Sequence, residues 1–344
     1  MSEQLKRFGM GAQFVPADTL GDSELGPLKQ LVGEWESVVI TTPAGGNTPS
    51  GWNVISVPGP GGFIFEVIPY KENLKFSTVA VSAGNRGPVL NGNQFDQQIF
   101  GLFYEQQIIS VCDTDFCNTR GFSNGQVIHA ETGLLLFVTN FNGGFNIARL
   151  GTIPHGNAVL ALGKSIDVTS PGTDFFESTS AECVHLDGSP ITVLGYNDTI
   201  IGVRQFPEFA QSDPNSFLKT TLDGIVGSGS ITDMTVLEMS TKHPDATGGI
   251  LNIPFIQTNV TATSMDAIFW IENISGGSET ELLQYTQTIN LVFPATGTVE
   301  PIIWPHITVS TLKRMPQIVT TGAKQFAAEA LTENVTETPG VPQL

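Results

Sequence analysis

Two histidines in this sequence lie in runs of residues that are typical of β-strands. His306 belongs to Trp304-Pro305-His306-Ile307-Thr308-Val309-Ser310, in which Ile307 and Val309 share one face. The period of two puts His306 on the opposite face. His129 begins a strand-like run that continues into uniformly apolar residues. An imidazole at such a position can bind a metal or haem iron, or transfer a proton near neutral pH. Most single histidines on strands are structural, so the spacing leaves both readings open.

The segment before His306 alternates strictly between apolar and polar side chains. Leu283, Tyr285, Ile289 and Leu291 fall on one face, and the polar residues between them fall on the other. This alternation predicts a β-strand that is buried on one side. The segment and the run around His306 are therefore expected to be adjacent strands.

The other candidate groups give weaker signals. The chain has five histidines, and no two of them have the spacing of an HExxH metal site. His155 falls in a predicted turn over a possible pocket, and His185 and His243 are expected at the surface. The sequence contains no Walker A loop, no GxGxxG motif after a strand and no GxSxG elbow, which argues against common nucleotide and hydrolase chemistry.

Composition favours an all-β protein. Of the 344 residues, 40% are hydrophobic and only 14% are charged, with 37 Gly and 21 Pro, a profile of short strands joined by many turns. The formal net charge of −18 repels phosphate backbones and anionic membranes. We therefore expect neither nucleic acid nor a membrane as a partner.

Targeting signals and cysteines suggest a cytoplasmic protein. No run approaches the roughly 20 apolar residues of a membrane helix, and Met1 to Val15 lacks the features of a secretory signal. The spacing of Cys112 and Cys117, with Cys183 far away, does not match a zinc site. A reducing compartment is the simpler expectation.

The chain reads as one antiparallel up-and-down β-barrel with short helices and a long insertion. A short helix is predicted from Ser23 to Val32, like a lid, and a second one after Asp213-Pro214. We expect an extension at 1–22, one barrel domain at 23–314 with insertions at about 81–97 and 168–258, and a tail at 315–344. The longer insertion shows no sustained alternation and offers a surface for self-association.

Five blocks, in the same order, resemble the nitrobindins, which are haem-binding β-barrels built like fatty-acid-binding proteins. The blocks are Leu28 to Trp35, Ile68 to Phe76, Ile128 to Gly133, Leu282 to Leu291 and Trp304 to Leu312. Ile128-His129-Ala130-Glu131-Thr132-Gly133 is similar to the family's His-Ala-Glu-Ser-Gly block. Nitrobindins are about half as long, and Trp304-Pro305 replaces the usual residues before the histidine.

The resemblance implies a haem b site. His306 corresponds to the histidine that ligates the iron, and His129 to a residue on the distal side that donates to a bound ligand or acts as an acid or base. The implied haem-contacting residues are His306, His129, Trp304, Tyr285 and Ile289. The implied activity is binding of nitric oxide, isomerisation of peroxynitrite or peroxidase-like turnover, with a small diatomic or peroxide-type molecule as ligand.

Two other functions remain open at this point. The barrel without haem would be a carrier of a small apolar ligand, with Phe63, Phe65, Phe100 and Phe103 lining its cavity. Alternatively, the long insertion is an interaction surface. Only the haem hypothesis requires an imidazole that faces the interior.

Overall fold

A computed structural model of the chain gives its backbone over most of the sequence. The residues it describes are 22–41, 47–59, 62–79, 83–111, 123–140, 144–153, 156–191, 210, 212–242, 249–254, 257, 260–293 and 300–316, without the side chains of 22, 23, 48 and 55–67.

Eighteen strands are present in the described residues. They are β1 Gly33–Ser37, β2 Val39–Thr41, β3 Asn47–Pro49, β4 Gly51–Gly59, β5 Gly62–Thr78, β6 Ala83–Asn85, β7 Val89–Leu90, β8 Asn93–Gln94, β9 Gln97–Ser110, β10 Val127–Val138, β11 Ile147–Ile153, β12 Asn157–Thr169, β13 Val184–His185, β14 Ser230–Ser240, β15 Gly249–Asn252, β16 Thr261–Ser275, β17 Glu281–Phe293 and β18 Ile302–Arg314.

Two helical segments accompany the strands. The one-turn helix α1, Asp22–Leu25, continues into a 3-10 helix at Gly26–Leu31, and α2 covers Asn215–Val226. Both were predicted from the sequence. The first segment buries Leu25, Leu28 and Leu31 against the barrel interior, so we call it the lid.

In the described part of the chain, ten antiparallel strands close into a barrel, which confirms the predicted fold class. Their order is β4-β18-β17-β16-β14-β12-β11-β10-β9-β5, and β5 pairs with β4 to close the ring. The short β1 fills the gap between β5 and β18 at the lid end. Consecutive strands are mostly neighbours, as in an up-and-down barrel.

The long strand β5 joins two segments that the sequence predicted separately. Pro69 lies inside it, paired with Trp52 of β4. Pairing with β9 begins at the next residue, Tyr70, which lies opposite Ser110. The missing N–H of Pro69 is tolerated because it falls where β5 begins to pair with β9.

The expectation of an insertion without strands at 168–258 is wrong in part. Within that range, β14 is a full member of the barrel between β12 and β16. Four successive residues of β14, Met234 to Leu237, are buried. Since Met234 and Val236 belong to the outer core, to which α2 contributes, both faces of the strand are buried and the sequence does not alternate. Residues 170–229 lie between β12 and β14, and the wider division into extension, barrel and tail stays a prediction.

Hydrophobic residues form an inner core and an outer core. The inner core lies within the barrel, beneath the lid, and includes Trp35, Phe76 and Phe269. The outer core lies between α2 and the outside of the barrel, and includes Trp52 and Leu222. The insertion therefore packs against its own barrel.

Candidate functional site

His306 lies on the inner face of the barrel. It pairs with Ile289 of β17, an inner-core residue, whereas the next residue, Ile307, belongs to the outer core. Cross-strand partners project to the same side of a sheet, so the imidazole of His306 faces the interior. The side chain is half-buried. Its orientation agrees with the sequence prediction.

Apolar side chains surround His306. The ring of Trp304 contacts the imidazole edge-on, with 5.4 Å between ring centroids. Trp304 also packs on Phe293 at 5.8 Å and is almost completely buried. Ile289, the partner of His306, forms the neighbouring part of the inner wall. The imidazole of His306 is thus surrounded by apolar side chains, which form the rim of the barrel at this end.

His306 and His129 both lie toward the end of the barrel opposite the lid. On β18, Arg314 donates to the backbone oxygens of Gln30 and Val32 at the lid, and His306 is on the other half of the strand. On β10, Phe137 lies against Gly26 of the lid, and His129 is near the strand's other end. We call this end the open end. The fold therefore brings both predicted histidines to one end of the interior.

His129 contacts a buried carboxylate. Its Nε2 lies 3.7 Å from Oε2 of Glu131, too far for a hydrogen bond but close enough for an ionic contact. The His129 side chain is 18% exposed and that of Glu131 is 1% exposed. This contact brings the imidazole of His129 against the buried polar group formed by Glu131.

Glu131 belongs to a charged cluster with Arg149. The Arg149 Nη2 donates to Glu131 Oε1 at 2.8 Å, and Nη1 donates to Gln287 Oε1 at 2.6 Å. The Tyr104 hydroxyl donates to Glu131 Oε1 and accepts from Arg149 Nε. Burial by itself would raise the pKa of Glu131, but the charge of Arg149 together with the contacts from His129 and Tyr104 outweighs it and the pKa falls to about 2. Glu131 is therefore ionised throughout the physiological range.

A second polar cluster lies around Glu72. Gln106 Nε2 donates to Glu72 Oε1 at 2.7 Å, and the Tyr285 hydroxyl donates to Oε2 at 2.8 Å. The Tyr70 and Tyr285 hydroxyls are 3.3 Å apart. Burial raises the pKa of Glu72, against the hydrogen bonds from Gln106 and Tyr285. The two buried carboxyls of the interior thus have pKa values shifted in opposite directions.

Together the two clusters form a layer of polar side chains across the barrel, which we call the polar septum. Its members are Tyr70, Glu72, Tyr104, Gln106, Glu131, Arg149, Tyr285 and Gln287. Tyr285 is four residues before Ile289 on β17, roughly 13 Å along the strand toward the lid. Tyr285 therefore lies in the septum, below the rim that contains His306.

Little space remains between the septum and the lid. The cavity there has a volume of about 10 Å³, room for about one water molecule. It is lined by Leu74, Phe76, Tyr104, Gln106, Leu135, Arg149 and Phe269. The space between the septum and the lid is therefore too small for a ligand larger than a water molecule.

The remaining predicted residues have different positions. Phe100 packs against the inner core. Phe103 is wrongly predicted to line the cavity, because the neighbouring Leu102 and Tyr104 occupy the inner core. His185 lies in β13, where it pairs with Ile302 of β18 and is half-buried. His155, His243, Cys112, Cys117 and the side chains of Phe63 and Phe65 lie outside the described residues.

Sequence reasoning missed the polar septum. Charged residues at alternate strand positions were interpreted as solvated faces. The sequence does contain a signal for these inward charges, in the apolar residues two positions away on the same strand face. Ile147 is two residues before Arg149, and Leu74 is two residues after Glu72. A charged residue in register with buried apolar residues on one strand face marks an inward-facing charge.

Two general features were also searched for in the described residues. No group of three or more His, Cys, Asp or Glu side chains there is close enough to hold a metal ion by itself. No helix in that part of the chain is long and apolar enough to cross a membrane.

Comparisons with known proteins give the fold little further definition. No protein family model matches the chain, and no curated protein matches it. Among solved structures, it is similar to the crystal structure of Rv2717c from M. tuberculosis, with 16% identity over 88% of this chain and 100% of that one, at a TM-score of 0.37. The description of the barrel rests on its own strand pairing.

Proposed function

We propose that this protein binds haem b at the open end of its barrel, with His306 as the axial ligand of the iron. The observation that carries the proposal is the register between β17 and β18, which turns His306 toward the interior beside Ile289. The resemblance to nitrobindins motivates the choice of haem. Haem binding inside the barrel requires an imidazole that faces the interior, and His306 has that orientation.

The residues around His306 fit a porphyrin. A single imidazole is a common axial ligand of haem iron, and His306 stands in a half-buried position open to the end of the barrel. Trp304 and Ile289 are the apolar neighbours of His306, and because they are only 2% and 9% exposed, a macrocycle would bind by displacing them from each other. The polar septum forms the floor of the site, so the ligand is held near the rim rather than deep in the barrel.

His129 and Glu131 have a supporting role in this proposal. Glu131 is kept ionised by Arg149 and lies 3.7 Å from His129. Through this contact Glu131 positions the imidazole, which can donate a hydrogen bond to a molecule at the open end or act as an acid or base. Bound haem would supply an open iron position for nitric oxide, peroxynitrite or a peroxide, which is the activity we propose.

The polar septum argues against transport of a long acyl chain. A carrier of fatty acids needs a continuous apolar cavity, and sites for drug-sized ligands are typically about 300–1,000 Å³. Here Tyr70, Glu72 and Tyr285 are hydrogen-bonded across the interior, and the space beyond them is about 10 Å³. A short or flat ligand at the open end fits this interior better.

The test is titration of the purified full chain with hemin, followed by absorption spectroscopy and a pyridine haemochrome assay. We expect a Soret band that saturates at one hemin per chain. His306→Gly should abolish the band, and added imidazole should restore it by replacing the lost ligand. Thr288→Gly is the matched control, because Thr288 pairs with Ile307 on the outer face of the barrel, and it should bind hemin like the wild type.

The variant His129→Ala separates ligation from ligand chemistry. We expect it to retain hemin and to change the rate at which nitric oxide or peroxide binds. Absence of hemin uptake by the folded wild-type chain would overturn the proposal, as would a normal Soret band in His306→Gly without imidazole. In either case the search should turn to a small apolar ligand extracted from the protein.

A further inference from the structure

The outer face of the barrel carries an exposed apolar patch on β10, β11, β12 and β15. Leu134, Leu150 and Leu160 lie directly opposite one another on three adjacent strands. Leu136 lies two residues beyond Leu134 on the same face, and Leu251 of β15 pairs with Ala158, two residues before Leu160. We call Leu134, Leu136, Leu150, Leu160 and Leu251 the leucine face.

The leucine face points away from the barrel interior. The residues that follow Leu134 and precede Leu150, namely Leu135 and Arg149, face inward. Leu150 is 36% exposed, Leu160 37% and Leu251 77%, and Leu134 and Leu136 are half-buried. Within the described residues, none of these five side chains packs into the inner or the outer core. A contiguous patch of this kind marks an interaction site more often than scattered surface leucines do.

The surroundings of the leucine face are free of charge. No Asp, Glu, Lys or Arg occurs among the outward residues of β10 from Ala130 to Val138, of β11, of β12 from Ala158 to Leu162, or of β15, within the described residues. The chain as a whole carries 33 acidic and 15 basic side chains. The neighbouring surface differs, since Glu105 of β9 and Lys164 of β12 are exposed. The patch is thus a neutral area on a strongly acidic protein.

We propose that the leucine face binds a second copy of this chain. With a net charge of −18, two copies repel each other at most orientations. They can approach closely where neither contributes charge, and the leucine face meets that condition. The row formed by Leu134, Leu150 and Leu160 can also pair with the same row of a second copy. A two-fold axis through Leu150 places Leu134 of each copy against Leu160 of the other, as an isologous contact requires.

The size of the patch predicts a weak dimer. Four strands at about 4.8 Å spacing give a width of roughly 15 Å, and five residues along a strand give a length of roughly 16 Å. The footprint is a few hundred Å² per copy, which is below the roughly 600–1,000 Å² per copy of specific, stable interfaces. We therefore expect a transient dimer, in a monomer–dimer equilibrium with a dissociation constant of roughly 100 μM or more.

The test is sedimentation velocity of the full chain over a range of concentrations. We expect reversible dimerisation that strengthens as salt is added, because salt screens the repulsion between acidic copies. Leu150→Glu places a charge at the centre of the interface and should weaken the dimer by about 30-fold or more. Gln107→Glu adds the same charge to an exposed position of β9 outside the patch, and it should dimerise like the wild type.

Cysteine cross-linking at position 150 tests the same interface independently, in case Leu150→Glu folds poorly. Leu150→Cys should form a covalent dimer under oxidation, because the two-fold axis brings position 150 of one copy against position 150 of the other, whereas Gln107→Cys should not. The wild type treated in the same way controls for native cysteines. A chain that stays monomeric at every concentration would overturn the proposal. A dimer that Leu150→Glu leaves intact would overturn it equally.

Discussion

Three glutamates are buried among the described residues, and each has a different environment. Glu131 is neutralised by Arg149, and Glu72 is hydrogen-bonded by Gln106 and Tyr285. Glu272 of β16 is 0% exposed, and no described side chain hydrogen-bonds to its carboxyl oxygens. A buried carboxylate without a partner is costly, whereas the neutral acid is much less so. Glu272 is therefore the buried acid that the fold stabilises least.

Glu272 lies on the outer wall of the barrel under the outer core. Its cross-strand partners are Met234 of β14 and Leu282 of β17, both members of that core. Burial raises the pKa of Glu272 well above its usual range, opposed only by the backbone amides of Glu272 and Gln284. The folded protein therefore holds the protonated form, while the unfolded chain ionises near its ordinary value.

The substitution Glu272→Gln should stabilise the protein at neutral and alkaline pH. The pKa of Glu272 is higher in the folded than in the unfolded state. Its contribution to the unfolding free energy of the wild type is therefore complete below about pH 4.5 and is lost as pH rises toward the folded-state pKa. Glutamine has nearly the same shape and no proton to lose. We expect a gain of roughly 1–3 kcal/mol in unfolding free energy at pH 8 and almost none at pH 4, measured by urea denaturation.

The matched control is Glu105→Gln, which removes the same charge from an exposed position of β9. Its unfolding free energy relative to the wild type should not increase as the pH rises. An equal effect of Glu272→Gln at pH 4 and pH 8 would contradict the protonated state that we infer for the buried acid.

At the level of elements, alternation of apolar and polar residues predicted β17 and the strand around His306, and the observed register puts His306 on the opposite face from Ile307 and Val309, as the period of two predicted. The prediction that β17 is buried on one side only is wrong, because Gln284 and Thr286 on its outward face are buried and hydrogen-bonded to α2. Strand β14 was not recognised, because Met234 to Leu237 do not sustain the alternation and are all buried. No local pattern reveals the outer core over these strands, since it forms only when the chain packs over the barrel.

The polar septum was difficult to predict for a related reason. Glu72 and Tyr285 are on different strands, as are Arg149 and Gln287, and each pair forms its hydrogen bond only after the barrel closes. In the sequence Glu72 and Arg149 resemble surface residues. His306 was easier to place, because it lies on a strand with clear alternation.

Helix α2 is an integral part of the barrel wall. Gln284 of β17 is completely buried and donates from Nε2 to the backbone oxygen of Leu218 at 3.1 Å. At the start of the helix, Thr286 donates to Asn215 Oδ1. Phe217 meets Trp52 edge-on at 5.5 Å between ring centroids. These contacts predict that α2 and the barrel unfold together.

The substitution Leu222→Ala tests that coupling. Leu222 is completely buried in the outer core, so its truncation should lower the unfolding free energy of the whole protein by about 3 kcal/mol. Urea unfolding followed by circular dichroism and by tryptophan fluorescence should give one coincident transition. Lys219→Ala, on the exposed face of α2, loses only the ion pair with Asp223 and should leave the unfolding free energy nearly unchanged. Separate transitions, or a small effect of Leu222→Ala, would show that α2 is only loosely attached.

At the level of the whole molecule, β11 links the two proposed surfaces. Arg149 points inward, where it neutralises Glu131 in the septum, and the next residue, Leu150, points outward in the leucine face. Successive residues of a strand project to opposite faces. A substitution at one of these positions therefore changes the surroundings of one surface and leaves the other face of the sheet in place.

This arrangement predicts that hemin uptake and self-association are independent. His306→Gly should lose hemin and keep the dissociation constant of the wild-type dimer, and Leu150→Glu should lose the dimer and keep full hemin occupancy. The double variant should show both losses without an additional effect, since distant sites with no shared partner contribute additively. Hemin titration and sedimentation velocity of the same samples measure this. If Leu150→Glu reduced hemin uptake while the protein stayed folded, the septum would have to transmit a change in β11 to the rim at His306, and the two surfaces would form one coupled system.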